Sequence, residues 1–532
     1  MYDIKNKTVM ITGAATGLGY KYAEILLRNG IKSVAVVDLP TSNGQNAVAT
    51  LENKFGKGRA IFVACDVTKA DDFEKTFRKI VDTFKGLDIL INNAGTFNDN
   101  YWEKTIDLNV KAVIRGSMLA FDYMGKHKGG KGGLIVNIAS VAGLDPISAM
   151  SMYCASKYAV LGFSQSLANM YNKTEVRVVI MCPGATITAL IENFRDRIHD
   201  SIRAVLGSDI PDIDKIPKQT TDHVALAMLD LIQKGKNGAA WVVNYGKPPN
   251  AVHFPPFSER LLLQQINIMY DVKNKTVMIT GAAAGLGYKY AEILLRNGVK
   301  SVAVVDLPTS NGQNAVVTLE NKFGKGRAIF VACDVTKADD FEKIFKKIID
   351  TFKGLDILIN NAGIFNDIYW EKMIDVNVKA VIRGSMLAFD YMGKHKGGKG
   401  GLIVNIASVV GLEPNPYLAM YSASKHAVVG FSRSLANMYN KTEVRVVIMC
   451  PGVTVTALVE DFRDRINDSI RAALGSDIPE LEKIPKQTTD HVALAMLDLI
   501  QKGKNGAAWV VQDNQPPCAM DFSPYFERLL PI

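Results

Sequence analysis

Cysteine is scarce: six residues are scattered along 532 positions. That scarcity suits a reducing compartment. No His/Cys group has zinc-ligand spacing, so no metal site is expected. Long apolar runs are missing, which argues against a membrane-spanning helix, and the opening MYDIKNKTVM lacks a signal peptide's apolar core. Sequons such as the one at Asn6 would matter only on a secretory route, which nothing here indicates. A cytoplasmic protein is expected. Excess charge is also small, at +9. Part of it lies in GKHKGGKGG (residues 125–133), which reads as a solvated turn before a strand rather than a nucleic-acid patch. What remains is a globular composition, 48% hydrophobic and 22% charged.

The chain starts twice. MYDIKNKTVMITGAATGLG opens it, and MYDVKNKTVMITGAAAGLG begins at Met269, an offset of 268 (269 − 1). The same offset carries Asp38 to Asp306, Asn93 to Asn361, Tyr153 to Tyr421 and Pro183 to Pro451 without a gap. A period this long means two whole domains in tandem, not a solenoid. The expected boundaries are 1–262 and 269–532, with residues 263–268 as linker.

Within each copy, short apolar segments alternate with helical ones. TVMITG, SVAVVDLP, RAIFVACDV, LDILINNAG, GLIVNIAS and VRVVIMCPG read as buried strands. YKYAEILLRNG reads as a helix closed by glycine. TKADDFEKTFRKIVDTF reads as a helix capped by Thr68, with Phe73, Phe77, Ile80, Val81 and Phe84 on one face. This alternation predicts an α/β fold, a doubly wound parallel sheet covered on both faces, built twice.

Between the first strand and first helix stand Gly13, Gly17 and Gly19, and in the second copy Gly281, Gly285 and Gly287. A tight turn there, with backbone N–H groups open to a pyrophosphate at a helix N-terminus, requires glycine and gives the domains a Rossmann-type reading. Asp38 and Asp306 end the next strand, where a carboxylate can accept from ribose hydroxyls and repel a ribose phosphate. NAD is therefore expected over NADP.

The TGxxxGxG spacing, the NNAG segments and the ordered Asn, Ser and YxxxK together identify a resemblance to the short-chain dehydrogenase/reductase family over nearly all of each copy. NYWEKTIDLNV, FDYMGKHKGGKGGLIVNIASVAG and YCASKYAVLGF resemble its NAD-dependent hydroxyprostaglandin dehydrogenase branch and insect relatives. The resemblance implies catalytic tetrads Asn109, Ser140, Tyr153, Lys157 and Asn377, Ser408, Tyr421, Lys425. It implies cofactor contacts from Gly13, Thr16, Gly17, Leu18, Gly19, Asp38, Asp66, Val67, Asn93, Ala94, Gly95, Pro183, Gly184 and Thr188. In the second copy they are Gly281, Gly285, Leu286, Gly287, Asp306, Asp334, Val335, Asn361, Ala362, Gly363, Pro451, Gly452 and Thr456. By the same resemblance Lys157 also holds the nicotinamide ribose, Ser140 binds the substrate oxygen and Asn109 holds a water.

The chemistry is readable from the residues. Oxidising a secondary alcohol removes a hydroxyl proton while a hydride leaves carbon. Tyrosine, with a pKa of about 10, is a poor base at neutral pH. Lys157 lies one helical turn on, where its charge favours the phenolate; a shift of three units corresponds to about 4 kcal/mol. Cys154 is matched by Ser422, so thiol catalysis is not expected. His426, opposite Tyr158, reads as structural. A fold that kept the cofactor and lost catalysis would show loss of Tyr or Lys, and neither copy does.

The copies differ most before the tyrosine (LDPISAMSMY against LEPNPYLAMY) and in their tails. Where hydroxyprostaglandin dehydrogenases carry a Gln three residues before the tyrosine, this chain has Met150 and Leu418. An apolar position there favours a hydrophobic alcohol or its carbonyl partner as substrate. The helix YCASKYAVLGFSQSLANMY is apolar on more than one side, as a helix buried on two faces should be. The expectation is that the two copies pair with each other within one chain through this helix and the Asn-bearing one. A linker of about ten residues spans at most roughly 35 Å.

Overall fold

The computed structural model describes residues 2–262 and 269–532; the expected linker 263–268 lies outside them. In the first copy the strands are β1 (Thr8–Thr12), β2 (Ser33–Asp38), β3 (Ala60–Ala64), β4 (Ile89–Asn92), β5 (Gly133–Ile138), β6 (Val176–Pro183), β7 (Ala240–Val243), β8 (Asn250–Val252) and β9 (Leu261–Leu262). The second copy repeats them as β10 (Thr276–Thr280), β11 (Ser301–Asp306), β12 (Ala328–Ala332), β13 (Ile357–Asn360), β14 (Gly401–Ile406), β15 (Val444–Pro451), β16 (Ala508–Val511), β17 (Cys518–Met520) and β18 (Leu529–Pro531). Strands β1 and β4 are wholly buried, as continuous apolar runs flanked by helices on both sides must be.

Each sheet has nine strands. Order β3-β2-β1-β4-β5-β6-β7 is parallel, and the mirror order holds in the second copy. The order reverses beside β1, which opens a crevice at the carboxyl ends of β1 and β4. Two antiparallel strands complete one edge of each sheet, beyond β7 and β16. The outermost is exchanged: β18 pairs with β8 of the first copy, and β9 pairs with β17 of the second. The C-terminal strand of each copy thus belongs to the other copy's sheet.

The helices Ser151–Ala168 and Ala419–Ala436 pack against each other, and Gln165 apart, every residue of the first is buried. A Cβ at Gly162 would stand 2.4 Å from the His426 ring, and one at Gly430 2.4 Å from the Tyr158 ring. Only glycine lets the two helices approach this closely. Reciprocal ion pairs flank them. Lys111 reaches Asp375 and Lys379 reaches Asp107, each at 2.7 Å. Arg115 pairs with Glu371 and Arg383 with Glu103. The repetition of each contact with the copies interchanged defines an approximate two-fold relation.

One capping expectation is corrected. The helix expected to start at Thr68 runs Ala70–Phe84 after Lys69, with no side-chain cap. The Thr68 hydroxyl instead donates to Asp66 at 2.7 Å.

Candidate active site

Strand β1 ends at Thr12 and the next helix begins at Gly17. Gly13 and Gly17 have φ of 63° and 58°, a region that strains any side chain. Gly19 is limited by space: a Cβ there would stand 2.3 Å from the Gly13 carbonyl oxygen and 2.6 Å from Asn93 Nδ2. Asn93 creates that crowding. Its amide donates to the Thr12 and Gly13 carbonyls at 3.0 and 2.9 Å, and the Thr12 hydroxyl accepts from the Asn93 and Ala94 N–H groups. The NNAG segment is therefore the buttress of the glycine turn. Thr188, beyond Pro183 and Gly184, approaches from the opposite side, its Cγ2 3.7 Å from a Cβ built on Gly17.

Asp38 faces the same turn. One carboxylate oxygen accepts from the Ala15 N–H at 2.9 Å and the other from the Leu39 N–H at 2.8 Å. A cleft of about 500 Å³ continues beyond it, lined by Leu39, Thr41, Cys65, Asp66, Lys69 and Thr76. Val67 is buried beneath, and Leu18 packs on the apolar core. Thr16 stands in extended backbone before the helix, with no side-chain cap. Bare backbone N–H groups at a helix N-terminus, beside a fixed carboxylate, fit the pyrophosphate and ribose of a dinucleotide. The second copy reproduces the cradle. Asp306 accepts from the Ala283 N–H at 2.8 Å, and Asn361 and Ala362 hold Thr280 and Gly281. Asp334 makes the Asp66 turn again, Val335 is buried, and Leu286 packs on its core. Thr456 lies over Gly285 as Thr188 lies over Gly17.

The catalytic candidates converge at the ends of β4, β5 and β6. The Lys157 ammonium donates to the Ile138 carbonyl at 2.9 Å and lies 5.5 Å from the centre of the Tyr153 ring. The Ser140 hydroxyl donates to the Pro183 carbonyl and accepts from the Ala142 N–H. Asn109 sits on a π-helical turn, Asp107–Lys111, set between two α-helical segments. Such turns recur at functional positions. Its side chain accepts from the Thr96 N–H at 2.9 Å and donates to the Thr96 carbonyl and to Ser156. A Cβ at Gly95 would stand 3.2 Å from Asn109 Oδ1 and 3.7 Å from Lys157 Nζ, so these three positions meet. Asn377, Ser408, Tyr421, Lys425 and Gly363 repeat the arrangement. Pro451 and Gly452 end β15 as Pro183 and Gly184 end β6.

Electrostatics at this point run against the simplest expectation. Burial pushes the Tyr153 phenol far above its ordinary range, with the Ser140 hydroxyl pulling weakly the other way. Burial also pushes the Lys157 ammonium down to about 8. The protein alone therefore holds tyrosine neutral. The lysine shares its buried site and does not outweigh that desolvation. Tyr421 and Lys425 behave alike. Cys154 is pushed up to about 12 by burial, which keeps it an inert thiol.

Two pairs of residues escaped the sequence. Asp99 is fully buried, and its carboxylate accepts from the Met152 and Tyr153 N–H groups at 3.1 and 3.0 Å. Burial holds that carboxyl up at about 7. Asp367 does the same for Met420 and Tyr421, at about 8. Each anchors the backbone of the tyrosine itself. Phe97 packs edge-on to Tyr153 at 5.6 Å between ring centres and against Phe194; Phe365 does so with Tyr421 and Phe462. These rings put apolar surface beside each tyrosine, and Met150 and Leu418 pack against the same large apolar cluster. Their only signal was an apolar residue in a polar stretch.

A profile of the short chain dehydrogenases matches residues 7–199 and again 275–467. Human 15-hydroxyprostaglandin dehydrogenase [NAD(+)] is 41% identical over 215 residues, 38% of this chain and 80% of that enzyme. Alcohol dehydrogenase 1 of Ceratitis cosyra is 32% identical over 46% of this chain and 94% of its own length. Among solved structures, the C-domain of a bacterial malonyl-CoA reductase with NADP has the same fold over 95% of this chain and 99% of its own, with a TM-score of 0.66 at 15% identity. The chain belongs to the short-chain dehydrogenase family, as a tandem pair, and is an oxidoreductase of that family. No helix among the described residues is long and apolar enough to cross a membrane.

Proposed function

We propose that the chain is an NAD-dependent alcohol dehydrogenase with two active sites, each interconverting a hydrophobic secondary or allylic alcohol and its ketone or aldehyde. The observation that carries this reading is the Tyr–Lys pair assembled with Ser and Asn beside a dinucleotide cradle, complete in both copies. The cofactor, when bound, accepts the hydride. Ser140 orients the substrate hydroxyl, and Tyr153 takes its proton. Lys157 would stabilise the phenolate against the burial that keeps tyrosine neutral, and a bound oxidised nicotinamide would add positive charge to the same site. Asn109's main chain and Lys157 form the start of a route returning the proton to solvent. Asp38 and Asp306 favour NAD, and the similarity to NAD(+)-dependent hydroxyprostaglandin dehydrogenases supports the same choice. Phe97 with Phe194, and Phe365 with Phe462 in the second copy, put apolar surface beside each tyrosine and support a hydrophobic substrate.

The reading includes domains 1–262 and 269–532 joined by 263–268, paired as a pseudo-dimer inside one chain and needing no second chain. Cysteines present as free thiols support a cytoplasmic setting. A panel of secondary alcohols with NAD, followed by NADH absorbance, tests it. Tyr153→Phe and Tyr421→Phe should each leave one site's substrate profile, and the double variant should bind NADH with turnover reduced at least about 100-fold. Robust turnover by the double variant would remove tyrosine from the base role. NADH binding without wild-type turnover would point to a silent binding protein. Light scattering near 58.1 kDa supports the pseudo-dimer, and a stable species at twice that overturns it.

A further inference from the structure

The segment before Tyr153, residues 144–151, carries Met150 and is held from the other copy. Ser434 donates to the Ile147 carbonyl at 2.7 Å, and its hydroxyl lies 2.9 Å from that of Ser151. The Arg433 guanidinium donates to the Tyr158 hydroxyl at 2.8 Å, which in turn donates to the Leu144 carbonyl at 2.9 Å. Both ends of the segment are thus fastened to one helix of the second copy, through the buried Ser434 and the half-buried Arg433.

The equivalent positions do not repeat this. Ser166, equivalent to Ser434, donates to the Gly162 carbonyl of its own helix. Ser151 is replaced by Ala419, which has no hydroxyl, and Arg433 corresponds to Gln165. Tyr158 is replaced by His426, whose Nδ1 stays with the Ser422 carbonyl of its own helix at 2.9 Å. The second copy's segment is held otherwise. Arg260, from the first copy's tail, donates to the Leu412 carbonyl at 2.9 Å, and Asn415 caps its own turn at Tyr417.

We infer that Ser434 and Arg433 are positioning residues for the first active site, supplied by the second copy within the same chain. They act through residues 144–151, whose placement sets where Met150 and Tyr153 stand relative to substrate. The second site is positioned by different residues, so each can be tuned without the other. This rests on the reading that both sites turn over.

The test is Ser434→Ala in the full chain, made once with Tyr421→Phe to isolate the first site and once with Tyr153→Phe to isolate the second. The expected result is a several-fold rise in KM for alcohol at the first site, with kcat/KM at the second within twofold and NADH affinity unchanged at both. Arg433→Gln, which restores the first copy's residue, should act in the same direction. Ser166→Ala should move neither site. Equal changes at both sites, or no change at the first, would overturn the inference. Hydrogen exchange of the wild type and Ser434→Ala gives a readout independent of turnover. Faster exchange confined to residues 144–151 supports the pinning even if the proposed reaction fails, and unchanged exchange there refutes it.

Discussion

In both copies a carboxylate holds an amide within the glycine turn, Asp38 that of Ala15 at 2.9 Å and Asp306 that of Ala283 at 2.8 Å. Where the copies meet, the ion pairs keep that identity but the crossing helices do not. Tyr158 bonds across the axis to Arg433, whereas His426 turns back to its own helix. Tyr525 donates its N–H to Asp145 and accepts from Asn244, whereas the equivalent Phe257 has no hydroxyl to offer. The cofactor cradle tolerates little because the glycine turn and the Asn93 segment approach without room for a Cβ. The axis and tails tolerate more because each contact has a partner that can change with it. Fusion removes the requirement that a residue at a two-fold axis meet its own copy.

The largest expected effect tests the shared part. Asp38→Ala and Asp306→Ala together should narrow the preference for NAD over NADP by about 10- to 100-fold, since each 1.4 kcal/mol is tenfold. Ratios of kcat/KM for the two cofactors measure it. A wild type that prefers NADP would refute the carboxylate reading.

Next come the two glycines at the crossing. Gly162→Ala and Gly430→Ala each place a methyl 2.4 Å from a buried ring, His426 in one case and Tyr158 in the other. Each should destabilise by about 1–3 kcal/mol in urea unfolding. His426→Ala should relieve the first and leave the second. Equal relief of both would mean that the crossing is looser than this geometry.

How far the sequence reveals all this depends on range. The glycine turn, Asp38, the YxxxK pair and the doubly buried helix are legible because spacing along one element sets them. The exchange of β9 and β18 is not. Both tails carry ERLL, at 259–262 and 527–530, so either strand satisfies either edge with the same alternation, and the pattern cannot say which one it joins. Asp99 is hidden for another reason. NDNYWEK reads as a solvated turn, and burial of one carboxylate within it depends on the helix it caps, some fifty residues on.

Asp99 also separates charge from packing. Its carboxyl, held up at about 7, ionises across neutral pH. Once charged, it opposes phenolate formation on Tyr153. The other titratable groups around that tyrosine are Lys157, which opposes this effect, and Cys154, which stays neutral. Asp99→Asn removes the charge and keeps one acceptor. In the Tyr421→Phe background the acid limb of alcohol oxidation should therefore move down by about half to one pH unit. A fall in kcat with the limb unmoved would make Asp99 a packing residue only. The linkage sign agrees. A carboxyl whose pKa is raised on folding lends stability below its ordinary range, near pH 4, and loses it as pH rises through about 7. Asn should flatten that slope.

The smallest effect belongs to the tails. Tyr525→Phe makes the second tail match Phe257 and deletes the 3.2 Å bond from Asn244. The tyrosine is only half-buried, so water can replace the lost partner, and the cost should sit near the low end of about 0.5–1.5 kcal/mol. The backbone bond from the Tyr525 N–H to Asp145 survives the substitution. That bond holds the exchanged tail against the segment leading to Met150. Unfolding should therefore shift slightly, while the first site's substrate profile stays unchanged. The reverse change, Phe257→Tyr, should gain nothing. Gln512 stands where Asn244 does, so the asparagine that donates to the Tyr525 hydroxyl has no counterpart in the second copy. If Phe257→Tyr stabilises the chain as much as Tyr525→Phe weakens it, the two tails are equivalent after all, and the asymmetry between the copies is confined to the helix axis.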